Sequence, residues 1–241
     1  VKDQYFADKR DFFKWDFLED LLDGCAELKS FTNITMLTPP DDSSEGNLRA
    51  YELGHRREPL YKFLQGCLTD GKQKVSEMRR YFQGKRFSYY PHRDSAGSPY
   101  SYESRQDYFG SVPQDKLQQA LVFFDPDIGL QAGSMGYMRR SGISKYLFDE
   151  SLRAMARRIS GDSVIVVYQH LQRDRNRFWD DVEERCGRFR DLVEAKGAGF
   201  LTDRDIVFLA TSREPTLRLK MSNIVVAHAH KYNLDSGELA A

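Results

Sequence analysis

Apolar residues first recur at helical spacing between Asp8 and about Asp23, where Phe13, Phe17 and Leu21 fall at i, i+4 and i+8. That stripe predicts an amphipathic helix, and Gly24 supplies its stop. Phe31–Leu37 then reads as a short strand. It runs into Thr38-Pro39-Pro40-Asp41-Asp42-Ser43-Ser44-Glu45-Gly46, whose turn formers predict a loop. Helical spacing returns near Pro59–Leu68 and Lys72–Phe82, and Arg86–Tyr90 is a candidate strand. Pro91–Tyr102 mixes Ser, Gly, Pro and Tyr, which predicts an exposed loop able to act as a lid.

From residue 117 the pattern becomes regular. Leu117–Phe124 is a nearly continuous apolar run, the form of a strand buried on both faces of a parallel sheet. Residues 131–142, rich in Gly, Ser and Met, predict a mobile loop. Ser144–Ile159 reads as a helix with Phe148, Leu152, Met155 and Ile159 on one face. Ser163–Tyr168 is a second buried strand, and Asp174–Lys196 a long helix through Val182, Cys186, Phe189 and Val193. Ile206–Thr211, Thr216–Lys220 and Asn223–His228 read as three short β runs. Two strands bridged by a helix imply a right-handed crossover, and the closing runs imply an antiparallel finish. With no repeat, low-complexity tract or linker, residues 1–241 are expected to form a single α/β domain.

Composition narrows the class. A chain of 241 residues can bury roughly 70% of its unfolded surface in one core, without disulfide or metal staples. The apolar share of 40% is globular, and 36 basic residues balance 36 acidic ones, so any nucleic-acid surface must be a local patch. Cys25, Cys67 and Cys186 are odd in number and scattered; they suit a reducing compartment and form no zinc spacing. No stretch approaches the roughly 20 apolar residues of a membrane span, and the N-terminus lacks a signal pattern, so a cytoplasmic protein without membrane contact is expected.

Candidate chemistry gathers at two strand ends, where open parallel sheets bind ligands. In Phe123-Phe124-Asp125-Pro126-Asp127-Ile128-Gly129, apolar residues deliver Asp125 to a strand tip, Pro126 ends the ladder and Gly129 permits a sharp turn. A carboxylate there can accept a hydrogen bond from a substrate amine or hydroxyl, hold a metal, or cap its own turn. The second tip, Tyr168-Gln169-His170, offers an aromatic ring for stacking and an imidazole for proton transfer, with the alternative that His170 caps the next helix. Arg173, Arg175 and Arg177 follow it. From Arg139 to Arg190 there are 12 Lys/Arg against 8 Asp/Glu, which reads as a phosphate-tracking patch or a solvated helix face. His228 and His230 would share one face of a strand, a geometry open to metal but without a third ligand nearby. No GxGxxG, P-loop, HExxH or GxSxG motif is present.

The order of these features resembles Rossmann-type S-adenosylmethionine-dependent methyltransferases, most of all the RlmJ-like ribosomal RNA adenine-N6 group. Ala7-Asp8-Lys9-Arg10-Asp11-Phe12-Phe13-Lys14 is loosely similar to that family's opening helix, and Asp125-Pro126-Asp127-Ile128 to its Asp-Pro-Pro-Tyr loop. The resemblance is strongest from Leu117 to His228. It implies a three-layer, mostly parallel sheet with an antiparallel C-terminal finish, S-adenosylmethionine as cofactor and nucleic acid as partner. It further implies that Asp125, with the Pro126 carbonyl and Asp127, orients an exocyclic amine. Asp41, Asp42 and Glu45 would bind the donor's ribose or amino group, Lys14 its carboxylate or a substrate phosphate, and Tyr168, His170 and Arg173 the substrate. Asp127 and Ile128 stand where the family has a proline and an aromatic, and the added acid should raise one carboxylate's pKa or invite a cation.

Two other classes fit the same residues. A nuclease would use Asp125 and Asp127 as magnesium ligands with Gln169 or His170 beside them, although the acid-x-lysine element is missing. A Rossmann-like binding module without catalysis would account for the single glycine in the loop that ends at Gly46.

Overall fold

The computed structural model describes residues 1–40, 49–51, 57–94, 99–171 and 175–240. Helix α1 (Lys9–Gly24) leads into strand β1 (Ser30–Thr35); α2 (Glu58–Thr69), a 3-10 turn and α3 (Met78–Phe82) precede β2 (Ser88–His92). Next come α4 (Arg105–Gly110), β3 (Ala120–Asp125), the two-residue β4 (Gly129–Leu130), α5 (Met135–Ser141), the two-residue β5 (Tyr146–Leu147) and α6 (Asp149–Arg158). The chain closes through β6 (Val164–His170), α7 (Phe178–Leu192), β7 (Gly197–Thr202), β8 (Ile206–Ser212), α8 (Pro215–Tyr232) and β9 (Asp235–Ala240).

Seven strands form one sheet in the order β2-β1-β3-β6-β8-β7-β9, while β4 and β5 pair separately. The first four are mutually parallel; β8 is antiparallel to β6 and to β7, and β9 is antiparallel to β7. This is the expected α/β, Rossmann-like architecture with an antiparallel finish. Strand alternation explains its layers. Leu121, Phe123, Val164 and Val166 enter a core shared with α1, α2, α3 and α8, whereas Val122, Phe124, Ile165 and Val167 enter one shared with α4, α6 and α7. Burial on both faces is why the β3 and β6 segments read as unbroken apolar runs.

Several local expectations are corrected. Thr216–Lys220 and Asn223–His228 are not β runs; they belong to α8, capped by Glu214 with Pro215 at the first turn. Leu217, Met221, Val225 and Ala229 supply its buried stripe at four-residue spacing. The antiparallel finish is built instead by β7, β8 and β9. On a helix, His228 and His230 no longer share a face: His228 is buried against Asp20 and His230 is exposed. Within 131–142 a helix capped by Ser134 replaces the expected loop. The 91–102 stretch is only partly loop, since Pro91 and His92 finish β2 and Tyr100 is 2% exposed. Among the described residues, no helix is long and apolar enough to cross a membrane.

Candidate functional site

The chain passes from β1 outward to β2 and then returns to place β3 on the other side of β1. The order therefore reverses between β1 and β3, which creates a crevice at their carboxyl ends. Thr35 and Asp125, the last residues of those two strands, lie opposite each other in register. Asp125 is 1% exposed. One oxygen, Oδ2, accepts from Lys14 Nζ at 2.9 Å, and Oδ1 has no hydrogen-bond partner among the described residues.

Helix α1 delivers Lys14. Its first turn is fixed by Asp8, which caps the Asp11 amide, while the Asp11 carboxylate reaches back to the Ala7 amide at 3.0 Å. Ala7 sits at φ 71°, a left-handed backbone that a non-glycine residue adopts at a cost. Lys14 Nζ lies 2.7 Å from Asp11 and 2.9 Å from Asp125, both contacts buried. Burial opposes the lysine's charge, but the two carboxylates outweigh it and raise its pKa above the ordinary lysine value. Lys14 is thus the ammonium counter-ion of Asp125, and its charge is already engaged by two acids.

Asp127 faces different partners. Lys2 Nζ donates to it at 2.8 Å, Thr38 Oγ1 at 3.3 Å, and Lys145 Nζ is 3.9 Å away. Burial pushes its pKa up, yet nearby positive charge, Lys2 and Lys145 included, holds it below the usual carboxylate range. Of the two outcomes expected of the added acid, a raised carboxylate pKa or a recruited cation, Asp127 shows the second, with Lys2 and Lys145 beside it.

The loop behind the acids is pinned by Gln169, which is 1% exposed. Its Oε1 accepts from the Leu130 amide at 2.7 Å and its Nε2 donates to the Ile128 carbonyl at 3.4 Å. Gly129 is required here: it has φ +136°, and a Cβ on it would sit 2.3 Å from Gln169 Oε1. Beside it, the His170 amide donates to the Ile128 carbonyl at 2.7 Å. Burial lowers the His170 pKa to about 4, so near neutrality its imidazole is uncharged and a weak base. Tyr168 is 8% exposed, its ring packed on Phe208 and edge-on to His170. Its hydroxyl is 3.3 Å from His170 Nε2, so it supports the tip and leaves no open stacking face.

Asp125, Asp127, Lys14, Tyr168 and His170 thus converge on one end of the sheet. Asp41, Asp42, Glu45 and Arg173 lie outside the described residues. Asp11, Lys2 and Thr38 were not singled out from sequence. Asp11 alone had a local signal, as the acid three residues after a capping Asp. Among the described residues one set of three potential metal ligands stands close together, Asp16, Asp20 and His228; Arg57 and Lys231 already bond its carboxylates. No protein-family model matches this chain, and no curated protein matches it.

Proposed function

We propose that this chain is a methyltransferase-type Rossmann-like protein that acts on an exocyclic amine of a nucleic-acid base, with Asp125 as the group that orients the amine. The observation that carries this reading is the open Oδ1 of a carboxylate held at the switch point of the sheet. An exocyclic amine is a poor nucleophile because its lone pair is delocalised into the ring. A carboxylate accepting its N–H bonds localises that pair and fixes its direction. Lys14 anchors Oδ2 of Asp125 and leaves Oδ1 to the amine, and the Asp8–Asp11 cap keeps Lys14 in place.

S-adenosylmethionine supplies an electrophilic methyl on a sulfonium. The donor set offers that cation the open Oδ1 of Asp125, since Lys14 engages only its Oδ2, while Asp127 is already matched by Lys2 and Lys145. Lys14 does not serve the donor's carboxylate in this reading, because Asp11 and Asp125 engage it. The magnesium alternative finds less support: Lys14 and Lys2 each already hold one oxygen of Asp125 and Asp127, so a bridging dication would sit beside two ammonium groups.

Thermal unfolding with S-adenosylmethionine, S-adenosylhomocysteine and magnesium, each added separately, tests the reading. Either adenosyl compound at 100 times its dissociation constant should add about 2.7 kcal/mol. Asp125→Asn should retain that shift while methyl transfer to RNA or DNA falls by about 100-fold or more. Silence toward both adenosyl compounds sinks the proposal, and a magnesium response lost in Asp125→Ala and Asp127→Ala replaces it with the nuclease reading.

A further inference from the structure

Helix α7 carries charge that the strand-tip site does not use. Arg177, its N-cap, and Asp181, Arg185 and Arg188 follow one another at four, four and three residues, and so fall along one face. Together with Ala132, Gly133 and Glu184 they line a polar cavity of about 120 Å³. That is room for about four waters, or one tetrahedral oxyanion. Arg188 forms the wall: it is bonded to Asp149 at 2.8 Å and to the Gln131 carbonyl at 2.7 Å, its charge matched. Arg185 is different. It is only 5% exposed, its Nε donates to Asp181 at 3.1 Å, and its Nη1 has no hydrogen-bond partner. Leaving a buried guanidinium donor unmet is costly, which signals an absent acceptor. Arg177 at the rim is exposed and has no ion-pair or hydrogen-bond partner among the described residues.

Tyr137 completes the arrangement. Its ring lies against Gly133, with Cδ1 3.4 Å from the position a Cβ would take, and the residue is 51% exposed. A guanidinium fork matches an oxyanion and a half-exposed tyrosine gives a base a stacking face. We propose that this cavity is a phosphate subsite, in which Arg185 and Arg177 take the oxyanion and Tyr137 stacks on the attached base. The phosphate is either a nucleic-acid diester or the terminal group of a free nucleotide. The diester source rests on the nucleic-acid reading above: Gly133 follows Asp127 by six residues, so the subsite wall lies within roughly 20 Å of the acids.

Binding of pyrophosphate by calorimetry, and of a labelled single-stranded oligonucleotide by anisotropy at several salt concentrations, tests the subsite. The proteins compared are the natural chain, Arg177→Ala, Arg185→Lys and the control Lys62→Ala, exposed on α2 at the other face of the sheet. Arg177→Ala should weaken at least one probe several-fold, and if the oligonucleotide is bound there, reduce the slope of log K against log salt by about 0.7. Arg185→Lys, which keeps the charge and loses the fork, should also weaken it, while Lys62→Ala matches the natural chain. Response to pyrophosphate alone identifies a free nucleotide as the source; response to the oligonucleotide identifies a strand. Equal binding by all four proteins, or no binding of either probe, overturns the subsite. Adenosyl-compound shifts measured on the same samples separate that outcome from failure of the methyl-transfer reading.

Discussion

Helix α1 carries two buried charged clusters, one on each half, and they differ in how many partners each acid has. On the C-terminal half, Arg57 bonds Asp16, Asp20 and Asp23 at 3.2, 2.7 and 2.9 Å, and Lys231 bonds Asp16 and Asp20 at 2.8 and 3.4 Å. Lys85 adds a contact to Glu19 and His228 one to Asp20. This is a redundant seam that ties α1 to α2 and α8, away from any strand tip. On the N-terminal half, Lys14 alone bridges Asp11 and Asp125, and one oxygen of Asp125 stays open. The residue types are the same. Redundancy and position separate them: multiply paired charge in a helix seam holds the scaffold, and thinly paired charge at a switch point is available to a ligand.

The comparison breaks most sharply at the lysines. Lys14→Met leaves Asp11 and Asp125 buried without their shared cation and should cost about 3–5 kcal/mol. Asp125→Asn in the same protein should return part of that loss. In the seam, Lys231→Met leaves Asp16 and Asp20 with Arg57 and His228, and should cost about 1 kcal/mol or less. Denaturant unfolding measures both; equal losses would remove the distinction between the clusters.

Glycines near each cluster give the next contrast. Gly129→Ala meets a positive φ and the Gln169 amide at 2.3 Å, so a cost of about 1–3 kcal/mol is expected together with lost adenosyl or nucleic-acid binding. Gly24, at the seam end of α1, would meet only the Cδ1 of Ile224 at 2.5 Å and the adjoining Cγ1 at 2.9 Å, the far part of a flexible side chain. Gly24→Ala should therefore cost less, and binding should be unchanged. Unfolding and ligand titration of the two variants together decide the matter.

What was legible in the chain follows the same division. Asp125 was legible because the apolar run before it demands a doubly buried strand, and a carboxylate at its end has nowhere to go but the tip. Its pairing with Lys14 was not, because 111 residues separate them and only the sheet order brings them together. The α8 segment was misread because Ile224-Val225-Val226 is β-branched; the Glu214-Pro215 start and the four-residue apolar stripe decide for helix. Strand β7 went unassigned because Gly197-Ala198-Gly199 has low strand propensity.

The smallest expected effect is also the most discriminating, because the two clusters should titrate with opposite signs. Asp8 at the tip is pushed up to about 7 by burial and by the Asp11 charge. The folded chain then holds a proton that the unfolded chain, with a carboxylate near 3.8, has released. Stability from this group is complete below pH 4 and is lost as pH rises through 7. Asp20 in the seam is raised by burial but held down at about 2 by the His228 hydrogen bond, Lys231 and Arg57. Its contribution is complete above pH 4 and is lost as pH falls through 2. Asp8→Asn, which preserves the cap, should flatten the stability curve between pH 4 and 7 by on the order of 1 kcal/mol. Asp20→Asn should flatten it only below pH 4, and by less, since the residue is partly solvated. Melting temperatures of both variants across pH 2–8 test the pair, and flattening in the same window would mean that the two halves of α1 are one electrostatic unit.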